Sequence, residues 1–299
     1  MARISPNARN REKKPSPVSW KSYLFIDPKW KRFFECHNED PIQAILNIDS
    51  RECITRGGGN EVSRLSITSA GGTEKSLFLK KYFTSTRSKR WKGFFRGTFL
   101  GRSKVRKEFK NLLLLRSLGL NTPDPVAWGE QRKGGWLLNS FLITSEIPKG
   151  TGLDFYLTSV LPRMSLKTAA KARSTLLKNL AETTAEMHRN GFEHHDFYWR
   201  NILLSDQDVT RFFLIDSPKG KSWPQWIMKR RFISDLATLD SPAPTVFRKT
   251  ERMRFYLNYR NIKKLTSLDK KIIKRILSLS NQQRDRQIHR LPKLAPSER

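Results

Sequence analysis

The sequence predicts an α+β chain of two lobes, a small antiparallel β lobe with one helix and a larger, mainly α lobe. Three observations predict this class. Short apolar runs separated by glycine-rich turns fill residues 50–83, a leucine-rich helical pattern follows them, and the second half alternates basic and apolar residues with helical spacing. The 299 residues, 37% of them hydrophobic, are enough to build a sizeable core and exclude general disorder.

The first elements form a predicted three-stranded antiparallel meander. Its strands are residues 52–55, 62–67 and 77–79, each an apolar or alternating run. The two connections, 56–60 and 70–73, are rich in glycine, as tight hairpin turns require.

One helix and two further strands complete the predicted β lobe. Ser103 is a candidate N-cap, and apolar residues recur at helical spacing from Val105 to Leu118. Residues 126–129 and 136–143 are then interpreted as strands. The first half of the chain is therefore β-rich with one inserted helix.

The second half is predicted to be mainly helical. Ser165 can cap a long helix whose apolar face runs to Met187 and which ends near Gly191. Two short apolar runs, 202–204 and 212–215, follow as a hairpin.

We divide the chain into a basic N-terminal arm and lead-in at 1–47, an amino lobe at 48–145 and a carboxyl lobe with a basic tail at 146–299. No apolar segment follows the arm as in a signal peptide, and no apolar run approaches the roughly 20 residues of a membrane-spanning helix. Two cysteines, Cys36 and Cys53, make neither a disulfide framework nor a metal cluster. We therefore expect a reducing, cytoplasmic compartment.

The formal net charge of +31 predicts an acidic partner. Ten Lys and Arg residues and one acid lie between Arg87 and Lys110, interleaved with aromatic residues. The tail from Phe247 to Arg299 has sixteen Lys and Arg residues against four acids. Composition alone leaves nucleic acid, an anionic membrane and a phosphorylated ligand open.

The strongest local signal lies in residues 191–204, with Asp216 after the second strand of the hairpin. The H-x-D-x4-N spacing followed by an aspartate is the pattern of a phosphoryl-transfer loop. Asp196 would accept or orient the proton of an attacking hydroxyl, and Asn201 and Asp216 are oxygen ligands suited to Mg²⁺. A surface turn with chance polar residues is the alternative, and the helix before and the hairpin after argue against it.

On these residues the sequence resembles the protein-kinase-like superfamily, and more narrowly the bacterial lipopolysaccharide core kinases, the Kdo and heptose kinases. The resemblance covers about residues 50–240 and implies a bilobal protein-kinase-like fold. It also implies ATP and Mg²⁺ as cofactors and a Kdo or heptose hydroxyl of the lipopolysaccharide inner core as acceptor. The matching segments are Leu79–Tyr82, Lys107–Phe109, Thr122–Pro125, His194–Leu204, Leu214–Asp216 and Ser234–Ala237.

In the amino lobe, the resemblance assigns Lys80 to the lysine that contacts nucleotide phosphates and Glu108 to the helix glutamate that pairs with it. Lys81 is the rival, because strand alternation lets only one of the two face the cleft. The glycine turn can either cradle phosphates through its backbone N–H groups or be a purely structural turn. Its members are Gly57, Gly58 and Gly59.

In the carboxyl lobe, Asp196 matches the catalytic aspartate, His194 a histidine that packs structurally, and Asp235 an aspartate that supports the loop from below. Glu146 falls in the interlobe hinge, whose backbone would hold the adenine. His195 replaces the arginine that binds a phosphorylated activation loop in protein kinases. Asp235 follows Asp216 by only nineteen positions, which favours an open site for a non-protein substrate.

The resemblance implies two partners, the lipid A-core precursor of lipopolysaccharide and the anionic inner-membrane surface at its cytoplasmic side. Nucleic acid is less favoured, and the oligomeric state stays open. The alternatives are an atypical kinase acting on a protein or RNA-associated substrate and a kinase-fold binding protein. Cations just past the metal aspartate could meet a substrate phosphate, namely Lys219, Lys221, Lys229, Arg230 and Arg231.

Overall fold

The computed structural model describes residues 20–33, 41–48, 52–57, 59–68, 74–83 and 101–288. Several predictions fall on residues outside these ranges. They concern residues 1–17 of the N-terminal arm, Cys36, Gly58, the turn at 70–73, the aromatic and basic stretch at 87–100 and the end of the tail at 289–299.

The amino lobe is built on a six-stranded antiparallel sheet with the order β1-β5-β6-β4-β3-β2. The predicted meander is confirmed as β2, β3 and β4, and the two later strands are confirmed as β5 and β6. The strands are β1 (Trp20–Ile26), β2 (Glu52–Gly57), β3 (Asn60–Thr68), β4 (Glu74–Phe83), β5 (Pro125–Lys133) and β6 (Trp136–Ser145).

Alternation along β4 separates the two faces of the sheet. Leu77 and Leu79 are fully buried in a core that includes Trp30 and Phe141. Successive side chains of a strand point to opposite faces, so Lys80 lies on the face turned away from this core.

Two elements that precede residue 48 also belong to this lobe. β1 pairs with β5 along its whole length, and α1 (Pro41–Asn47) buries Ile42 and Ile45 in the core of the sheet. The sequence does not reveal β1, because it is an edge strand that leaves Tyr23 and Phe25 exposed. The boundary at 48 remains a prediction, but the sheet itself begins by Trp20.

The inserted helix, α2 (Lys104–Ser117), contacts both lobes. The Ser103 hydroxyl caps it as predicted, accepting the backbone N–H three residues on at 3.2 Å. Near its start, Phe109 packs with Leu142 of the sheet. Near its end, Leu115 is part of the core of the carboxyl lobe.

The carboxyl lobe is mainly helical, which confirms the predicted α+β class of a small antiparallel β lobe and a larger, mainly α lobe. Within the described ranges, every helix is too short or too polar to cross a membrane. The long helices are α3 (Leu166–Arg189), α4 (Gln225–Asp240), α5 (Lys249–Arg260) and α6 (Ser267–Ile288).

Short strands of the carboxyl lobe frame the loop that the sequence singles out. The predicted hairpin is confirmed as β9 and β10, which form one sheet with β7. β11 pairs antiparallel with β8, so the segment after Asp216 returns beside the strand that leads into the loop. The strands are β7 (Gly150–Gly152), β8 (Phe192–Glu193), β9 (Ile202–Ser205), β10 (Phe212–Leu214) and β11 (Lys221–Ser222).

Candidate active site

A partly buried ion pair joins the sheet to α2. Nζ of Lys80 donates to Oε1 of Glu108 at 2.8 Å and lies 3.6 Å from Oδ1 of Asp216. Burial by itself disfavours the ammonium, but the carboxylates of Glu108 and Asp216 outweigh it, so the pKa of Lys80 lies above its usual value. A fixed cation therefore stands where the two lobes meet.

Lys81 lies on the opposite face of the same strand. Its Nζ donates to the carbonyl oxygen of Ile48 at 2.6 Å and lies 3.3 Å from Oε1 of Glu61. The side chain is only 4% exposed. Of the two candidate lysines, Lys80 is thus the one placed beside Glu108.

Asp235 of α4 supports the loop through its backbone. Its carboxylate is fully buried and accepts the N–H groups of His194 at 2.7 Å and His195 at 2.8 Å. Nε2 of His188 lies 3.3 Å from the same carboxylate. Burial alone would raise the pKa of Asp235, but these hydrogen bonds and neighbouring histidines hold it below its usual value, so the group is a carboxylate.

His194 ties the loop to the segment that directly precedes Asp216. Its Nε2 lies 3.1 Å from the carbonyl oxygen of Ile215. A carbonyl can only accept, so Nε2 carries the proton. Burial lowers the pKa of His194, which keeps the ring neutral in this role.

A tight turn brings Asp196 and Asn201 together. The carbonyl oxygen of Asp196 accepts Nδ2 of Asn201 at 2.8 Å and the N–H of Tyr198 at 2.8 Å. Oδ1 of Asn201, the amide atom that can bind a cation, is not used in this bond. The N–H of Ile215 donates to the carbonyl oxygen of Asn201 at 3.0 Å, which holds Asp216 nearby.

Asn201 and Asp216 fit a magnesium site of the kind that nucleotides complete. Within the described ranges, no three His, Cys, Asp or Glu side chains group as a metal cluster. Mg²⁺ in nucleotide enzymes is held by one or two protein oxygen ligands plus phosphates and water, so a large cluster is not needed. The Asp216 side chain is 43% exposed, which leaves its oxygens accessible.

The backbone is unusual at two positions of the site. His195 has φ of +70° and Asp216 has φ of +56°. Residues other than glycine are uncommon in this left-handed region, and such conformations concentrate at functional sites. His195 directly precedes Asp196, the predicted catalytic residue, and Asp216 is itself a predicted metal ligand.

The glycine turn joins β2 to β3 close to the end of β4. Gly57 ends β2, and Gly59 has φ of +85°, which glycine adopts without steric cost. The carbonyl oxygen of Gly59 accepts the N–H of Phe83 at 2.7 Å. The turn thus needs glycine for its own shape, and contact with phosphates stays a prediction.

Glu146 lies directly after β6, in the connection between the lobes. Its carboxylate pairs with Arg64 of β3, and its N–H donates to the carbonyl oxygen of Ser76 at 2.9 Å. These contacts leave its carbonyl oxygen as the group that could meet an adenine, and adenine binding at the hinge remains a prediction.

Two further side chains contact the site, Lys219, which the sequence offers as one of several cations that could meet a substrate phosphate, and Asn111, to which the sequence assigns no role. Nζ of Lys219 lies 3.1 Å from Oδ2 of Asp196. Nδ2 of Asn111 donates to two carbonyl oxygens of the turn Ser217–Gly220. Asn111 follows Glu108 by three residues on α2, and this spacing, which puts two side chains on one helix face, is the signal that the sequence offers.

The fold and this arrangement define a protein-kinase-like chain. A solved structure described as WaaP in complex with acyl carrier protein matches 88% of this chain and 98% of that chain, with a TM-score of 0.61 and 21% identity. The chain belongs to the lipopolysaccharide kinase (Kdo/WaaP) family, whose family model matches residues 61–266. The family predicted from the sequence is therefore confirmed.

Relatives with named activities match shorter stretches. A 3-deoxy-D-manno-octulosonic acid kinase of Vibrio cholerae is 29% identical over 139 residues, 44% of this chain and 54% of that protein. The lipopolysaccharide core heptose(I) kinase WaaP of Pseudomonas aeruginosa is 26% identical over 161 residues, 52% of this chain and 59% of that protein. The chain thus spans little more than half the length of the curated relatives it matches.

Proposed function

We propose that the chain transfers the γ-phosphate of ATP to a hydroxyl of Kdo or heptose in the inner core of lipopolysaccharide. The observation that carries the proposal is the meeting of the Lys80–Glu108 pair with Asp216, 3.6 Å from the lysine, beside a loop that presents Asp196 and Asn201. This set supplies a phosphate-binding cation, metal ligands and a proton acceptor, the parts that phosphoryl transfer requires.

Each residue then has a chemical task. Lys80, held by Glu108, binds phosphate oxygens of the nucleotide, and Asn201 and Asp216 hold Mg²⁺. When bound, Mg²⁺ neutralises charge on the β- and γ-phosphates. Asp196 accepts the proton of the acceptor hydroxyl as its oxygen attacks the γ-phosphorus, while the bond to the bridging oxygen breaks and releases ADP.

The choice of a sugar acceptor draws on the family and on its named members, a Kdo kinase and a heptose kinase. Charge supports an acidic, lipid-linked substrate. No acid lies between Asp216 and Asp235, and this segment exposes Trp226, which is 73% exposed, among cations. The exposed cations are Lys219, Lys221, Lys229 and Arg230, whereas Arg231 is partly buried in a pair with Glu193.

We place the enzyme at the cytoplasmic face of the inner membrane, bound peripherally. Each cation close to an anionic bilayer contributes about 1 kcal/mol of binding, and an exposed tryptophan suits the bilayer interface. Nucleic acid is the competing polyanion. Co-sedimentation with anionic but not neutral vesicles supports the membrane, and RNA binding with indifference to vesicles would favour the alternative.

The function is tested by incubating the protein with γ-³²P-labelled ATP, Mg²⁺ and lipopolysaccharide that lacks core phosphates. We expect label on the lipopolysaccharide. Two acceptors identify the sugar, since a lipid A that carries only Kdo accepts label from a Kdo kinase, whereas a heptose kinase requires the longer core. No transfer to any of these acceptors by a folded protein that binds ATP would contradict the proposal.

The two neighbouring lysines of β4 make a matched pair for mutation. Lys80→Met removes the cation beside Asp216, so we expect kcat to fall by roughly 10²–10³-fold, the usual loss for one electrostatic contact to reacting groups. Lys81→Met should leave kcat of the folded protein near the parent value and lower the urea midpoint instead, because its partners Ile48 and Glu61 are structural. Steady-state kinetics and urea unfolding check both, and the reverse pattern would show that the lysines are misassigned.

A further inference from the structure

We propose that Lys219 is a further catalytic residue, which binds the phosphoryl group during its transfer while Asp196 holds the lysine in place. The inference rests on the proposed function. It begins from two distances, since Nζ of Lys219 lies 3.1 Å from Oδ2 and 3.3 Å from Oδ1 of Asp196. The ammonium therefore faces both oxygens of the carboxylate to which we assign the acceptor's proton.

The Lys219–Asp196 pair is accessible to a ligand and contributes little to the stability of the fold. The Lys219 side chain is 59% exposed and that of Asp196 is 25% exposed. Ion pairs this open to solvent contribute little to folding stability. They remain accessible to a ligand, as a catalytic pair must be.

The turn that carries Lys219 is fixed on both sides. The N–H of Gly220 donates to the carbonyl oxygen of Ser217 at 3.1 Å. Nδ2 of Asn111 donates to the carbonyl oxygens of Ser217 at 2.6 Å and Gly220 at 3.0 Å. A Cβ at Gly220 would come within 2.6 Å of the ring of Phe192, so the turn packs too closely there for a side chain.

The two hydrogen bonds of Asn111 link the turn that carries Lys219 to the rest of the site. Asn111 and Glu108 lie one turn apart on α2, so one helix holds both the Lys80 side chain and the turn after Asp216. Asn111 is thus a positioning residue for Lys219. Lys219 pairs with Asp196, and Lys80, from a different element, lies beside Asp216.

Other cations near the loop are engaged elsewhere. The guanidinium of Arg200 stacks over the ring of Tyr198, 4.4 Å from its centroid. Nε of Arg231 donates to Oε2 of Glu193 at 2.9 Å. Among the ion pairs of the described residues, the one at Asp196 is formed by Lys219.

During phosphoryl transfer, the charge on Asp196 changes beside Lys219. As the acceptor oxygen bonds to the γ-phosphorus and the bond to the bridging oxygen of ADP breaks, the hydroxyl proton passes to Asp196. That transfer neutralises the carboxylate that faced Lys219, so the phosphoryl oxygens then balance the charge of the ammonium. Its attraction to the phosphoryl group therefore grows during the step, as transition-state stabilisation requires.

Three variants test the role of Lys219. Lys219→Met should lower kcat by about 10²–10³-fold with a much smaller change in the KM for ATP, because the contact strengthens during transfer. Lys219→Arg, which keeps the charge, should recover a large part of that loss. Lys171→Met, at an exposed lysine of α3, is the matched control and should behave as the parent. Thermal unfolding of each variant verifies the fold.

A second measurement needs no acceptor. The complex of ADP, Mg²⁺ and aluminium fluoride mimics the phosphoryl group in transfer, and calorimetry gives its affinity beside that of ADP alone. Lys219→Met should weaken the mimic by a factor similar to its loss in kcat and leave ADP unchanged. Equal affinity of parent and Lys219→Met for the mimic overturns the role of Lys219. Failure of the proposed acceptor shows separately, as absence of label transfer by the parent protein.

Discussion

Asp196→Asn should lower the rate of phosphate transfer by about 10²–10⁴-fold, the range for losing a general base. The amide has the shape of the carboxylate but cannot take the acceptor's proton. The carbonyl oxygen of residue 196 keeps its bonds to Asn201 and Tyr198, so the loop should retain its form. Single-turnover transfer from labelled ATP measures the loss, and fluorescence titration with an ATP analogue should show near-parental affinity.

The control for this variant is Asp206→Asn. Asp206 is an exposed aspartate of the β9–β10 connection, paired with Lys149 on the surface. It shares the residue type and the change in charge but not the location. A parental rate in Asp196→Asn, or an equal loss in both variants, would remove Asp196 from the reaction.

Asp235→Ala should have the largest effect on stability. It leaves the N–H groups of His194 and His195 without their acceptor beneath the loop. Each buried donor without a partner costs about 1–3 kcal/mol, so we expect a loss of roughly 2–6 kcal/mol in the free energy of unfolding. Urea denaturation at pH 7 measures it, with Asp206→Asn again as the surface control.

The pH dependence gives this prediction a second test. The pKa of Asp235 is lower in the folded chain than its usual value. Its carboxylate therefore contributes stability that is fully present above the usual pKa and is lost as the pH falls through the lowered one. Asp235→Ala should lose this part of the acid sensitivity, so the stabilities of parent and variant should converge at low pH. A difference that does not narrow as the pH falls would assign the effect to packing alone.

The parts of the site that the sequence predicts are those with local patterns. Strand alternation separates Lys80 from Lys81, and Glu108 stands out as the acid of a basic helix. The loop is set by spacing within a few residues. Helix caps at Ser103 and Ser165 follow equally local rules and are present in the structure.

The parts that the sequence could not predict depend on contacts between distant residues. The bonds from Asn111 to Ser217 and Gly220 span 106 and 109 positions, and they end on carbonyl oxygens, which every residue carries. Lys219 is one of several cations in its segment, and only the fold brings it to Asp196. β1 is missed because, as an edge strand, it leaves Tyr23 and Phe25 exposed, and its partner β5 lies about a hundred residues further along the chain.

The helix that contacts both lobes limits how this chain can be divided and recombined. Phe109 is packed with the sheet, whereas Leu115, six residues later, is packed in the carboxyl lobe. A fragment that ended at Ser145 would expose the second half of α2 to water. The carboxyl lobe left without it would lose the packing of Leu115 in its core. Chimeras with relatives should therefore keep α2 together with the sheet and the carboxyl-lobe core that it contacts.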